Sequence, residues 1–333
     1  MFADGTRRLA IAGALVVLGL LTVALAADPG IPATGSRMVR EAPPLAADVP
    51  SLPVAKTASP RDARPKAAED VLAPFRGLST WIDTYDVGLT PEQQIAIADA
   101  VGVDTIFLQS SRQSTEGLIH DPERLGRTIE LAHDVGIKVM LWSIPSFRDI
   151  DEDRGRAIAA MTFTTPRGDR ADAFGLDIEV DSVGFVPIRT IRLLNLSRQL
   201  REFAGPGYPM AAIVLPPRQL ETNTTWWPGF PYAGLAEHYD VFVPMSYSSY
   251  RGTDPFTTLV WNRDNVIVTR QLAGVPDLPV HLAGGIADNL PEVAAFVQAA
   301  FDSGAIGAGL YDLHTTLPEA WPTLRALSLS GPG

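Results

Sequence analysis

The 333-residue chain contains no cysteine. That excludes disulfide staples, thiolate metal sites, cysteine nucleophiles and a lipid anchor attached through cysteine. Positive charge is scarce: 27 Lys and Arg stand against 38 Asp and Glu, a formal net charge of −11. A surface that acidic repels phosphate backbones, so no nucleic-acid partner is expected. No Gly-x-Gly-x-x-Gly follows the first apolar run and no Gly-x-Ser-x-Gly occurs. The histidines (His120, His133, His238, His281 and His314) show neither His-x-His nor His-Glu-x-x-His spacing. These absences argue against a dinucleotide fold, a serine nucleophile elbow and a zinc-hydrolase helix, and they leave no metal and no cofactor expected. At 46% hydrophobic and 20% charged residues the chain has material for a large core, which excludes a mostly disordered protein.

One apolar run is long enough to matter. Arg7 and Arg8 precede Leu9–Ala27, which carries no charge and ends Ala24-Leu25-Ala26-Ala27. A basic start, an apolar middle and small residues at the end read as an export signal over 1–27, either cleaved or kept as a single membrane anchor. Such a run spans about 30 Å as a helix, the thickness of a bilayer core. Both outcomes place the remainder outside the cytoplasmic membrane, secreted or anchored, with membrane contact only through this segment. Residues 28–70 are rich in Pro and Ala, hold six acidic and six basic residues, and lack an apolar period. They read as an extended, disordered tether.

From 71 to 333 short apolar runs alternate with amphipathic stretches, eight times over. Strands are predicted at Gly77–Asp83, Thr105–Ser110, Lys138–Ile144, Ala173–Val180, Met210–Leu215, Val241–Tyr247, Val280–Gly284 and Ile306–Leu313. Helices include Pro91–Val101, Pro122–Val135, Ile188–Phe203, Leu290–Asp302 and Pro318–Leu327, with cap signals at Thr90, Asp121 and Asn289. Apolar strands between helices mean a parallel sheet covered by helices. Eight units in this length predict an α/β fold, a single (β/α)8 TIM barrel, with a doubly wound open sheet as the weaker alternative.

Chemistry in such a barrel sits at the C-terminal ends of the strands. The fourth strand reads Phe174-Gly175-Leu176-Asp177-Ile178-Glu179-Val180-Asp181. Alternation along a strand puts Asp177, Glu179 and Asp181 on one face. Three crowded carboxylates favour raising at least one pKa, which supplies the proton donor that glycoside cleavage needs; a salt-bridged rim cluster is the structural alternative. Aromatic residues fall at the same rim: Trp81, Trp142, Trp226, Trp227, Tyr247, Tyr250 and Tyr311. Indole and phenol rings stack on the apolar faces of sugars.

Gly175-Leu176-Asp177-Ile178-Glu179 together with Pro244-Met245-Ser246-Tyr247 resembles the chitinase-type (family 18) glycoside hydrolase barrels. There the carboxylate cluster closes strand four and a Met-x-Tyr element sits on strand six. A second resemblance is to the family 25 muramidases, in which further Asp residues lie on strands one and eight; Asp83 and Asp312 fill those places. The resemblance implies Glu179 as general acid (or, in another register, Asp181), with Asp177 assisting and Tyr247 holding a substrate acetamide. Trp81, Asp83, Trp142, Trp226, Trp227, Met245, Tyr311 and Asp312 are then expected to bind substrate. No carboxylate ends strands five, six or seven, which favours a retaining route assisted by the substrate's own N-acetyl group. The expected partner is a polysaccharide or peptidoglycan-type glycan, met by a monomer. The alternative is a catalytically inactive glycan-binding barrel of the same superfamily. An aldolase or isomerase is disfavoured, because the rim lacks a strand-end lysine.

Overall fold

The computed structural model describes residues 69–329 except Thr253; the export segment and all but the last two residues of the tether lie outside the described residues. Glu69 and Asp70, assigned by sequence to the tether, already begin a helical turn, Glu69–Leu72. Among the described residues no helix is long and apolar enough to cross a membrane.

Eight parallel strands in chain order close into a barrel: β1 Gly77–Ile82, β2 Thr105–Ser111, β3 Lys138–Ser143, β4 Ala173–Ile178, β5 Met210–Val214, β6 Val241–Ser246, β7 His281–Gly284 and β8 Gly307–Leu310. The ring shuts where Gly77 and Leu78 pair with Gly307 and Ala308. Every strand expected from the sequence is present. Among the described residues six long helices cover it: α1 Pro91–Val101, α2 Pro122–Asp134, α3 Ile150–Thr162, α4 Val186–Ala204, α5 Pro255–Ala273 and α6 Leu290–Ser303. Unit five has only two short helices after its strand, Pro217–Thr222 and Tyr232–Leu235. The expected caps form. Thr90 and Gln93 make a capping box, Asp121 accepts from the Arg124 amide, and Asn289 accepts from the Glu292 amide. Each satisfies a backbone donor that the first helical turn leaves open.

The register explains how the lumen fills. Trp81 on β1 stands beside Phe107 on β2, and Trp142 on β3 beside Gly175 on β4. The Trp81 ring meets those of Phe107, Trp142 and Tyr311 at centroid distances of 4.9, 5.5 and 5.9 Å. β7 and β8 carry Ala283, Gly307 and Gly309. At the β1–β8 seam the two backbones approach too closely to leave room for a side chain on Gly307 or Gly309. A β-carbon on Gly309 would lie 2.1 Å from the Ser79 carbonyl oxygen, and one on Gly307 would lie 2.5 Å from that of Phe75.

Beneath the rings His281 is fully buried, with Nδ1 2.8 Å from the Phe75 carbonyl oxygen and Nε2 2.7 Å from the Ser79 hydroxyl. A carbonyl oxygen only accepts, so Nδ1 carries the proton and Nε2 takes the hydroxyl's. Burial pushes His281 down to about 4, and the ring is neutral. It pins β7 to β1 across the barrel floor.

Candidate active site

β4 delivers Asp177 as its last inward-facing residue, with Glu179 just beyond the strand end. Asp177 is 5% exposed, and its Oδ1 has no hydrogen-bond partner. Burial, reinforced by the Glu179 charge, pushes it well above the ordinary carboxylate range. Glu179 is half-buried, and desolvation of its carboxyl pushes it up to about 7. Burial of both acids, with the Glu179 charge raising Asp177 further, favours a proton on the pair near neutral pH.

Asp181 does not join them. β4 ends at Ile178, so the alternation that would have made the three acids co-facial stops there. Asp181 is exposed, and the charge it faces is the Arg189 guanidinium.

Tyr247, next after β6, lies in the field of Asp177, Glu179 and Asp312 together. Burial and those charges push its phenol well above the usual range, so it remains a neutral donor. Its ring neighbours Tyr250 at 6.3 Å and Tyr311 at 6.1 Å. Tyr250 is 56% exposed and feels the Glu179 charge. The Tyr311 hydroxyl donates to Asp83, which ties the ends of β8 and β1 together. An aromatic band thus runs from the β1 rim to the β6 rim, past both groups of acids.

The sequence reading did not single out Asp86. It completes a second acidic group with Asp83 and Asp312, whose nearest carboxylate oxygens lie within 4.8 Å of one another. Burial and its two neighbours push Asp86 up to about 8, and Asp83 and Asp312 are also raised, first by burial. Backbone donors hold these carboxylates in place. Asp86 accepts from the Asp83 amide at 2.9 Å, and Asp312 accepts from the His314 and Thr315 amides, each at 2.9 Å. His314 Nε2 lies 3.7 Å from Asp86. An oxygen set of this kind has the donor chemistry for a hard cation or an ammonium group. The signal for Asp86 is the Asp83-x-x-Asp86 spacing just after strand one, which places both carboxylates in one tight turn.

Trp81 and Trp142 are buried, 2% and 3% exposed, and form the floor of the mouth; both indole Nε1 groups lack a partner. Met245 is buried near the end of β6. The tryptophan pair of unit five divides. Trp226 is half-buried. Trp227, expected at a sugar, is 1% exposed and belongs to the core instead. Its Nε1 donates to Thr190 Oγ1 at 3.0 Å, the Arg189 guanidinium lies 4.1 Å over its ring, and Phe147 and Phe230 meet its edges. It clamps the loop after β5 onto α4. Trp227→Ala should therefore cost about 3–5 kcal/mol of stability, the usual range for emptying a buried tryptophan site. Urea unfolding measures it, and a loss below about 1 kcal/mol would contradict the clamp.

Neither a family model nor a curated protein matches the sequence. Solved structures do match in shape. An endo-1,4-β-D-mannanase of Thermotoga petrophila is 15% identical, with 72% of this chain and 88% of that chain covered at a TM-score of 0.57. The spore cortex-lytic enzyme SleL of Bacillus cereus is 10% identical, over 75% of this chain and 73% of that chain, at 0.58. A GH18 chitinase of Cycas revoluta in complex with (GlcNAc)3 is 12% identical, over 76% of this chain and all (100%) of that chain, at 0.59. At such identities the likeness is one of fold, the (β/α)8 barrel.

Proposed function

We propose that the protein is an exported glycoside hydrolase acting on an amino-sugar polysaccharide of the cell envelope or the surroundings. The observation that carries this reading is the Asp177–Glu179 pair: two desolvated acids at the end of β4, holding a proton at neutral pH beside a neutral tyrosine donor. Glu179 donates its proton to the glycosidic oxygen as the bond to C1 breaks. The substrate's acetamide oxygen closes on C1, Asp177 takes the amide N–H on its free Oδ1, and Tyr247 holds the acetamide. Water then attacks C1, breaking its bond to the acetamide oxygen, and gives a proton to Glu179, which restores the free acetamide and the starting state. Solved neighbours named as chitinases with bound GlcNAc oligomers support this choice of substrate. Export rests on the sequence alone, on Arg7-Arg8 and the uncharged run after them.

The test is to incubate the full chain with chitin oligomers, peptidoglycan and mannan, and to read products by mass. Release of reducing ends from an N-acetylated glycan is expected; binding with no release from any of the three would select a non-cutting glycan binder. The pH dependence is a separate check. A general acid works while protonated, so a carboxyl at about 7 keeps activity below that pH and loses it above. Turnover should fall about tenfold per unit once pH is well past 7. A profile flat from 6 to 9 would remove Glu179 from this role.

A further inference from the structure

We propose that Asn262 and Asn265 of α5, with Gly285 after β7, are positioning residues that aim the Tyr247 hydroxyl at the substrate's acetamide. This rests on the hydrolase reading above and deepens it, naming the groups behind the mouth that set how one sugar is held.

The first ground is a pair of hydrogen bonds. Asn265 Nδ2 donates to the Ser246 hydroxyl at 2.8 Å, and Asn262 Nδ2 donates to the Ser248 hydroxyl at 3.2 Å. The two serines flank Tyr247 in the chain, and the two asparagines stand three residues apart, on one face of α5. All four side chains are buried, the asparagines completely. With both neighbours bonded to the helix, Tyr247 is left to the mouth, in the field of Asp177 and Glu179. Asn265 Oδ1 also accepts from the Arg218 amide at 2.9 Å, which keys the grip to the segment after β5.

The second ground lies on another strand. A β-carbon on Gly285 would sit 3.0 Å from Tyr247 Cβ, 3.3 Å from its Cα and 2.9 Å from Ser249 Oγ. Carbon atoms in contact rest about 3.5–4.0 Å apart. The bare backbone at Gly285 therefore lets Tyr247 sit where the asparagines hold it.

The third ground is cost. Leucine would fill the place of either asparagine without burying an amide, and Asn262 leaves its Oδ1 unpartnered. A buried acceptor without a donor is destabilising. Packing α5 on the barrel needs only shape; what the amides add is a fixed direction for the two serines and the tyrosine between them. Direction matters because a hydrogen bond weakens steeply as its angle closes.

The test is a set of double-mutant cycles on the full chain. Asn262→Leu, Asn265→Leu and Gly285→Ala are each made in the wild type and in Tyr247→Phe, and kcat and KM are measured on chitin oligomers. In the wild type each should lower kcat about 10–100-fold and leave KM within about threefold, as a misplaced group does. In Tyr247→Phe no hydroxyl is left to aim, and the same changes should cost less than about twofold. Thr269→Val removes a buried hydrogen bond one turn along the same helix and should leave kcat within about twofold. Losses as large in Tyr247→Phe as in the wild type would be plain structural damage and would overturn the proposal, as would wild-type kcat in all three variants. Should Asn265→Leu not fold, since it also orphans the Arg218 amide, Asn262→Leu and Gly285→Ala carry the comparison.

A second readout needs no turnover. Fluorotyrosine labels all seven tyrosines, and the fluorine resonance missing in Tyr247→Phe is that of Tyr247. It should shift in each of the three variants, while the resonance of Tyr208, assigned in the same way, stays. A Tyr247 resonance that does not move overturns the grip whatever the rates. If the wild type cleaves no glycan while the resonance moves, the hydrolase reading fails and the grip on Tyr247 stands.

Discussion

Replacing Glu179 by Gln is expected to lower the rate of glycan hydrolysis by about 10²–10⁴-fold, the usual contribution of a positioned general acid. The amide has the same shape but no transferable proton. Stability moves the other way, and the sign can be worked out. The native carboxyl at about 7 lies above its ordinary value of 4.5. The folded state therefore binds the proton more tightly than the unfolded chain. Stability from this group is fully present below 4.5 and is lost as pH rises through about 7. Gln removes that loss, so at pH 8 the variant should melt at the same temperature as the parent or above it. A variant with parental activity would refute the assignment. One that is inactive because it is unfolded at pH 8 would contradict the burial on which the assignment rests.

The largest structural effect is expected at the β1–β8 seam. In Gly309→Ala the new methyl would sit 2.1 Å from the Ser79 carbonyl oxygen and 2.4 Å from its hydroxyl. The hydroxyl could rotate away, but the carbonyl belongs to the backbone of β1 and cannot. Relief requires β8 to back away from β1, loosening the closure near Gly77 and Leu78. A loss of about 3 kcal/mol is expected by urea unfolding, at the upper end for overpacking because a strand must move. It should come with weakened glycan binding, because Tyr311 and Asp312 follow β8 directly. A loss under about 1 kcal/mol would mean that the seam is looser than its geometry indicates.

The barrel was legible in the sequence because parallel strands buried on both faces read as unbroken apolar runs. Helices α3 and α5 did not stand out in the same way. α3 buries Asp153 and Arg156, and α5 buries Thr258, Asn262, Asn265 and Thr269, so neither shows a clean apolar stripe. Those polar groups are spent inside. Asp153 accepts from the Ser146 and Phe147 amides, and Asn265 donates to the Ser246 hydroxyl. At the mouth, alternation placed Asp177 and Glu179 together but failed for Asp181, because a period of two holds only while the strand continues. Trp227 was misread for a different reason. A tryptophan in a Pro/Gly loop looks exposed until a cation and a hydroxyl on a neighbouring helix are brought to it by the fold. Asp86 needed the turn itself, which carries its carboxylate back beside Asp83.

The neutral imidazole under the tryptophans has a further implication. With its titration displaced to about 4, the floor of the barrel keeps one charge state at every pH from mildly acidic to alkaline. His281 therefore takes no part in proton uptake or release in that range, while the carboxylates above it do. An ionisation at the open end of the barrel near neutrality therefore meets no change of charge in the imidazole under it, and a substrate seated there could in turn displace it.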